Sequence, residues 1–318
     1  MHRACLSVVV PVFNESEVIT DSLGRLEAAL ASISSDFEII VVDDGSTDAT
    51  VTKVEQWIAS HPLVRLVSLS RNFGHQSAIT AGLTVATGHY VAIIDADLQD
   101  PPELLPEMLS KAQEGYDVVY GVRRSRKAHA VKRVAYWCYY RLLRLVSEQI
   151  IPVDAGDFSV MSEQVVAELN KLSERGTFVR SLRSWVGFNQ TGFPYDRPDR
   201  RRGKSKYSLR KLMDLAANGI LSSSRLPLKL AIYLGLLVSA LGFLWAIKVL
   251  FVRIVFNTAP QGFSATIIAI LLMGGAQLIA VGVLGFYVGR VLDQVEARPN
   301  FIISRTVNLP DHKSSSHT

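Results

Sequence analysis

The stretch Tyr90-Val91-Ala92-Ile93-Ile94-Asp95-Ala96-Asp97-Leu98-Gln99-Asp100-Pro101-Pro102 decides how the chain is read. An apolar run rich in β-branched residues stops at two carboxylates one residue apart, then meets a proline pair whose fixed φ suits a helix start. An uninterrupted apolar run of this length is a strand buried on both faces, as in a parallel sheet covered by helices. The same alternation extends on either side. Strands are predicted at Leu6–Val12, Phe37–Val42, Val64–Leu69, Tyr90–Ile94 and Asp117–Tyr120, and helices at Val18–Ala31, Asp48–Ser60, Ser77–Ala86 and Pro102–Glu114. The fold class is therefore α/β, with a parallel sheet covered on both faces. No GxGxxG or GxxxxGK[ST] follows any strand, which argues against a dinucleotide fold or a P-loop.

In open parallel sheets ligands bind beyond the carboxyl ends of the strands, so the residues that close each strand carry the function. Here those ends are acidic: Pro11-Val12-Phe13-Asn14-Glu15, Asp43-Asp44-Gly45-Ser46-Thr47-Asp48 and Asp95-Ala96-Asp97-Leu98-Gln99-Asp100. Carboxylates gathered at one edge repel one another unless a cation is shared, and hard oxygen ligands suit Mg²⁺ or Mn²⁺. Asp95 and Asp97 are the expected metal-ligating pair. Asp48 reads more simply as a helix N-cap, and Asp100, before Pro101 and three residues from Glu103, as a helix start.

The chain has 318 residues, 48% apolar and 20% charged, with Lys and Arg exceeding Asp and Glu by 34 to 29 for a net charge of +5. A mean hydropathy of +0.21 is too apolar for an average soluble enzyme and too low for a pure membrane bundle. It averages two unlike parts. Leu230 to Ile247 carries no charge, nor does the interval between Arg253 and Arg290. Two membrane-spanning helices are expected, at about 228–252 and 264–289, within a hairpin of residues 226–290 that follows a catalytic domain of residues 1–225 and precedes a tail of residues 291–318. Lys204, Lys206, Arg210, Lys211, Arg225, Lys229, Arg290, Arg298 and Arg305 flank the hairpin on its chain-end side, against Lys248 and Arg253 at the connection. That bias places both termini in the cytoplasm. Met1–Ser7 runs straight into a strand, so no cleavable leader is expected. Two cysteines, Cys5 and Cys138, build no disulfide framework and fit a reducing compartment. Gly285-x-x-x-Gly289 allows close helix approach, and Pro299–Ile303 reads as a short strand on its own or another protomer's domain; both point to a homo-oligomer.

The strand-end motifs, together with Ser70-Arg71-Asn72-Phe73-Gly74 and Gly156-Asp157-Phe158, resemble a family 2 glycosyltransferase of GT-A fold, which implies a Rossmann-like, mostly parallel sheet. With the hairpin, nearly the whole chain is similar to polyprenyl-phosphate glycosyltransferases of the dolichol-phosphate mannose synthase and bacterial GtrB type. The resemblance implies a bacterial inner-membrane enzyme that moves a hexose, with inversion, from a nucleotide sugar to a polyprenyl phosphate at the cytoplasmic leaflet. UDP-glucose and undecaprenyl phosphate are the expected pair, with GDP-mannose as the alternative donor. It further implies that Pro11, Phe13, Glu15 and Asp43 or Asp44 hold the base and ribose. Asp95, Asp97 and Gln99 would hold the metal and diphosphate, and Asp157 would accept or orient the acceptor oxygen.

Arg200-Arg201-Arg202-Gly203-Lys204-Ser205-Lys206 is similar to the family's loop over the nucleotide phosphates, and Arg202, Lys204 and Ser205 are assigned there. Arg123, after the fifth strand, is expected to meet the acceptor phosphate, since forked guanidiniums suit phosphate oxygens, and the resemblance implies the same role for Arg133. Amphipathic helices at about 130–147 and 208–223, mixing aromatic and cationic residues, read as membrane-surface elements. A non-enzymatic membrane protein that binds lipid or nucleic acid has no need of clustered strand-end carboxylates, and an acidic cleft repels a phosphodiester backbone. A processive polysaccharide synthase fits less well. Arg183-Ser184-Trp185 stands where such an enzyme carries Gln-x-x-Arg-Trp, and two spans are too few for a translocation channel.

Overall fold

A computed structural model describes residues 4–31, 33, 36–123, 155–172, 178–196, 226–256, 262–296 and 298–309. These fall into two compact units, one comprising the described residues up to 196 together with 299–309, the other residues 226–298.

The first unit alternates β1 (Leu6–Val12), α1 (Ile19–Leu30), β2 (Phe37–Asp43), α2 (Thr50–Ile58), β3 (Val64–Leu69), α3 (His75–Val85), β4 (Tyr90–Ile93) and α4 (Leu105–Gln113), the last preceded by a 3-10 turn at Pro102–Leu104. It continues with β5 (Val118–Arg123), β6 (Ala155–Ser162), α5 (Glu163–Lys171), α6 (Val179–Trp185), β7 (Gln190–Tyr195) and, after the second unit, β8 (Ile303–Val307). The eight strands form one sheet in the order β7-β5-β6-β4-β1-β2-β3-β8. β1 and β2 are buried at every residue because the sheet is covered on both sides. Val8, Val10, Ile39 and Val41 face Leu23, Leu26 and Leu109 of α1 and α4. The alternate residues Val9, Ile40, Val42 and Ile93 face Ile79, Leu83 and Val166 of α3 and α5. The period of two therefore divides each apolar run between two cores.

The expected strands and the four helices that alternate with the first of them are present, with ends shifted by a few residues. The sheet is mixed: β6 runs antiparallel to both β4 and β5, and β8 antiparallel to β3. β7, α5 and α6 are not among the elements expected from sequence, although α5 buries Val165, Val166 and Leu169 at helical spacing. The tail strand begins at Ile303, later than expected, and pairs with β3 of its own chain. Asp100 does not start a helix. Its side chain is buried and accepts a short hydrogen bond from the Tyr195 hydroxyl at the end of β7. Asp48 is not the N-cap either: that position is Ala49, and Asp48, one residue earlier, accepts from the amides of Thr50 at 3.0 Å and Ser16 at 3.2 Å.

The second unit contains two long helices, α7 (Leu226–Phe256) and α8 (Phe263–Val295). Within α7, Ala231–Val252 is long and apolar enough to cross a membrane, with mean hydropathy 2.2 and none of it buried. Leu236, Leu237, Phe243 and Leu244 stand exposed along it. α8 carries a shorter apolar stretch, Met273–Gly289. The amphipathic stretches at about 130–147 and 208–223, and with them Arg133, Arg202, Lys204 and Ser205, lie outside the described residues.

Candidate active site

The carboxyl ends of β1, β2, β3 and β4 open into one cleft of about 360 Å³. Of the residues singled out from sequence, Pro11, Phe13, Glu15, Asp44, Asp95 and Asp97 line it, joined by Asn72, Gly74 and His75. The loops are held to each other by hydrogen bonds from backbone amides to side chains. Asp44 accepts from the amides of Phe73 at 2.7 Å and Gly74 at 2.9 Å, which ties the end of β2 to the loop after β3. Burial raises the Asp44 carboxyl above the ordinary value, against the pull of those two amides. Asn14, with φ of 53°, accepts from the Thr47 amide and donates its own amide to Ser46. Gly45 is obligatory: its φ is 73°, and a Cβ there would lie 2.6 Å from the Arg71 carbonyl carbon. Asp43, in contrast, is buried and turned back on the Ser46 amide, and the cleft wall at this point is Asp44.

Asp95 and Asp157 face each other because of strand direction. β4 and β6 pair Ile93 with Ser159, and the same antiparallel register continued two residues brings Asp95 opposite Asp157. Two carboxylates placed in this way repel. Between them, from the first turn of α3, comes His75: its Nε2 is 3.5 Å from Asp95 Oδ1 and 3.6 Å from Asp157 Oδ2. Burial alone would lower the imidazole pKa, but Asp157, Asp95 and Asp44 outweigh it and hold the ring above the ordinary histidine value. Asp157 moves the other way. Burial pushes it up, but His75, the Arg180 charge and a 3.0 Å hydrogen bond from Gln76 Nε2 bring it below the usual carboxylate range. Asp95 has less support: burial, with Asp100, Asp97 and Asp157 nearby, raises it to about 6.

Asp95 Oδ1 is enclosed and has no hydrogen-bond partner. A buried carboxylate oxygen that makes no hydrogen bond and has the His75 ring 3.5 Å away, on a group raised by desolvation, has the donor chemistry a hard divalent cation needs. Asp97 Oδ1 accepts from the Gln99 amide at 3.1 Å, and Leu98 between them is held at φ of 58°. Backbone in this sparsely populated region costs free energy and is found where a loop must present particular groups. Gln99 itself is not part of the cleft wall. Among the described residues no three His, Cys, Asp or Glu side chains form a metal-holding group by themselves.

Arg123 ends β5 at the same edge. Its Nε lies 3.5 Å from the Tyr195 hydroxyl, and Gly156 is small where the guanidinium passes, with a Cβ falling 3.2 Å from Nη2. Arg183 is fully buried under Tyr120, whose ring centroid lies 5.2 Å from its guanidinium carbon. Sequence reasoning assigned no role to His75, Gln76, Arg180, Arg183 or Tyr195. His75 and Gln76 directly follow a quoted strand-end motif, and that position was the available signal. Nothing local marks the other three.

Residues 7–169 match the family described as Glycosyl transferase family 2. The chain is 41% identical over 308 residues to an uncharacterized glycosyltransferase, YkcC, of Bacillus subtilis (strain 168), covering 96% of this chain and 95% of the relative. It is 38% identical over 302 residues to a prophage bactoprenol glucosyl transferase homolog of Escherichia coli (strain K12), covering 94% and 98%. Among solved structures it is similar in fold to the mannosyltransferase PcManGT of Pyrobaculum calidifontis in complex with GDP-Man and Mn²⁺, at a TM-score of 0.50 and 22% identity over 70% of this chain and 64% of that one. With half its length inside the family match and near full-length relatives on either side of 40% identity, the chain belongs to glycosyl transferase family 2.

Proposed function

We propose that the protein transfers a hexose from a nucleotide sugar to a polyprenyl phosphate with inversion at the anomeric carbon, and that the pair is UDP-glucose and undecaprenyl phosphate. The observation that carries this reading is the meeting of Asp95 and Asp157 across His75, where His75 and Asp95 line a cleft also walled by Phe13, Glu15 and Asp44. Donor and acceptor chemistry need to meet at one carbon, and these two carboxylates come from strands on adjacent sides of the same edge.

Phe13, 43% exposed in the cleft, offers a face for the base, with Pro11, Glu15 and Asp44 beside it for base and ribose. Asp95 and Asp97 are suited to hold Mg²⁺ or Mn²⁺ together with diphosphate oxygens, Gln99 fixing Asp97 through its amide. A cation bound there would stabilise the negative charge that develops on the leaving diphosphate. An acceptor phosphate oxygen attacks the anomeric carbon from the face opposite the diphosphate. The new carbon–oxygen bond forms as the old one breaks, and the nucleoside diphosphate leaves with the electron pair. A phosphate monoester, with second pKa about 6, is already largely dianionic near neutral pH. Asp157 therefore orients the oxygen and takes a proton only from the monoanion. Arg123, with Arg133 from outside the described residues, would attract the acceptor phosphate, and Arg202, Lys204 and Ser205 would close over the donor.

α7 and α8 are read as the two spans, with the α/β unit, the amphipathic stretches and both termini on the cytoplasmic side and copies of the chain associating through the helices and tail. The test uses membranes carrying the protein, radiolabelled UDP-glucose, Mg²⁺ and polyprenyl phosphate. An organic-extractable labelled product is expected; none with UDP-glucose but product with GDP-mannose reassigns the donor, and none with either refutes the transferase reading.

A further inference from the structure

We infer that Gln76 is a positioning residue for the acceptor carboxylate Asp157, an inference that rests on the role proposed for Asp157 above. Gln76 is the second residue of α3, and its side-chain amide is fixed at both ends. Its Oε1 accepts the Val179 backbone amide at 2.7 Å, and its Nε2 donates to Asp157 Oδ2 at 3.0 Å. A backbone N–H can only donate, so the contact with Val179 settles which end of the amide is oxygen and aims the NH₂ group at Asp157.

The contact with Val179 serves a second purpose. Val179 opens α6, and its N-cap, Phe178, makes no side-chain capping bond, so the first orphan amide of that helix is satisfied from α3. Gln76 thereby joins three elements, the start of α3, the start of α6 and the start of β6, at the residue on which acceptor chemistry is proposed to depend. The result for Asp157 is asymmetric. Oδ2 is held by Gln76 and approached by His75, while Oδ1 is enclosed with no hydrogen-bond partner. Holding one oxygen sets the rotation of the carboxylate about its Cβ–Cγ bond, and so sets where the lone pairs of the other oxygen point. A group whose function is to orient a phosphate oxygen within hydrogen-bond reach depends on that angle.

The substitution Gln76→Glu separates the two contacts. A carboxylate keeps an oxygen to accept the Val179 amide, preserving the cap of α6, but replaces the donor facing Asp157 with a second negative oxygen. At pH 8, in membranes or detergent with the full chain, Gln76→Glu is expected to keep the wild-type unfolding midpoint to within a few degrees and to lose turnover by about 10- to 100-fold, the scale of one hydrogen bond to a charged group. The KM for the nucleotide sugar should stay within about twofold. Val179→Pro provides a second variant, since proline is accommodated at the first helical position. It removes the amide that pins Oε1 and should lower kcat several-fold, again with the nucleotide KM unchanged. Asp157→Asn is run beside both. Loss of turnover in Asp157→Asn with wild-type turnover in Gln76→Glu overturns the inference alone. Turnover retained in Asp157→Asn overturns the reading of Asp157 and this inference with it. Loss in Gln76→Glu that appears as a raised nucleotide KM at unchanged kcat also overturns it, because that pattern marks damage to the cleft rather than to the acceptor carboxylate.

Discussion

Replacing Asp95 by Asn should make the resting protein more stable while abolishing its activity. Burial and the charges of Asp97, Asp100 and Asp157 raise the Asp95 carboxyl from 3.8 to about 6. Its folded-state pKa thus exceeds the unfolded one, so ionised Asp95 opposes folding. Well below pH 3.8 the group is protonated in both states and costs nothing, and at pH 4 only a small part of the penalty remains. The penalty grows as pH rises through about 6 and is complete above that. A shift of about 2 units corresponds to about 3 kcal/mol at 1.4 kcal/mol per unit. The side chain is still 30% exposed, so solvent screening reduces the figure to about 1–2 kcal/mol. For a unit of this size that amounts to roughly 2–8 °C in the unfolding midpoint. The assay is thermal unfolding of wild type and Asp95→Asn in detergent with a chelator, at pH 8 and pH 4. The variant should unfold later at pH 8 and nearly together with wild type at pH 4. Adding Mn²⁺ with UDP should reverse the order, since ligand at about 100 times its Kd stabilises the wild type by about 2.7 kcal/mol and the variant far less. A variant that is no more stable than wild type at pH 8 without cation, or one that still transfers sugar, would refute the reasoning.

Asp97→Ala should abolish transfer while the protein stays folded and membrane-bound; retained turnover removes Asp97 from the metal site. Gly45→Ala should destabilise the α/β unit by about 1–3 kcal/mol, because φ of 73° and the Arg71 backbone 2.6 Å from the new Cβ leave it no relaxed position. It should also raise the nucleotide KM by displacing Asn72 and Gly74, and a neutral result by calorimetry and kinetics would show that the two loops part freely. Asp48 is held at about 2 by Thr50 and Ser16, although burial opposes it, so it contributes stability above pH 4 that is lost as pH falls through 2. Asp48→Ala should lower the denaturant midpoint at pH 7 and lower it far less at pH 2; an equal loss at both would mean that the hydrogen bonds and not the charge are responsible.

The central strands were legible because each of them is buried on both faces, and burial on both faces forces an apolar run that no other element produces at that length. The carboxylates were legible for the same reason, since an Asp that ends such a run has to sit at the sheet edge. Asp44 over Asp43 was not legible: adjacent residues on a strand end point to opposite faces, and only the partner amides of Phe73 and Gly74 show which of them the cleft takes. Tyr195 escaped notice, and Arg183 was weighed only within Arg183-Ser184-Trp185, because their contacts are with partners far along the chain, Asp100 and Tyr120, and a lone polar residue in a short element carries no period. Asp100 was misread for a related cause. The Asp-Pro-Pro-Glu pattern fits a capping box, but a hydroxyl arriving from β7 took the carboxylate first.

The direction of β6 matters most for function and was least accessible from sequence. Had it run parallel to β4, Asp157 at its beginning would lie at the amino edge of the sheet, a strand length away from Asp95, and the Gly156-Asp157-Phe158 motif would have no place in the site. Running antiparallel, the same residue becomes the cross-strand neighbour of Asp95. Neither the apolar content of β6 nor its alternation differs between the two directions, since both bury Val160 and Met161 in the same sheet. What does differ is the electrostatics. Only the antiparallel arrangement brings two carboxylates together, and only then does a histidine between them, with a glutamine fixed behind one of them, have a purpose. His75 and Gln76, the pair that opens α3, answer that arrangement: the ring lies within 3.6 Å of both acids and offsets the repulsion between two carboxylates that a single inverted strand has made neighbours.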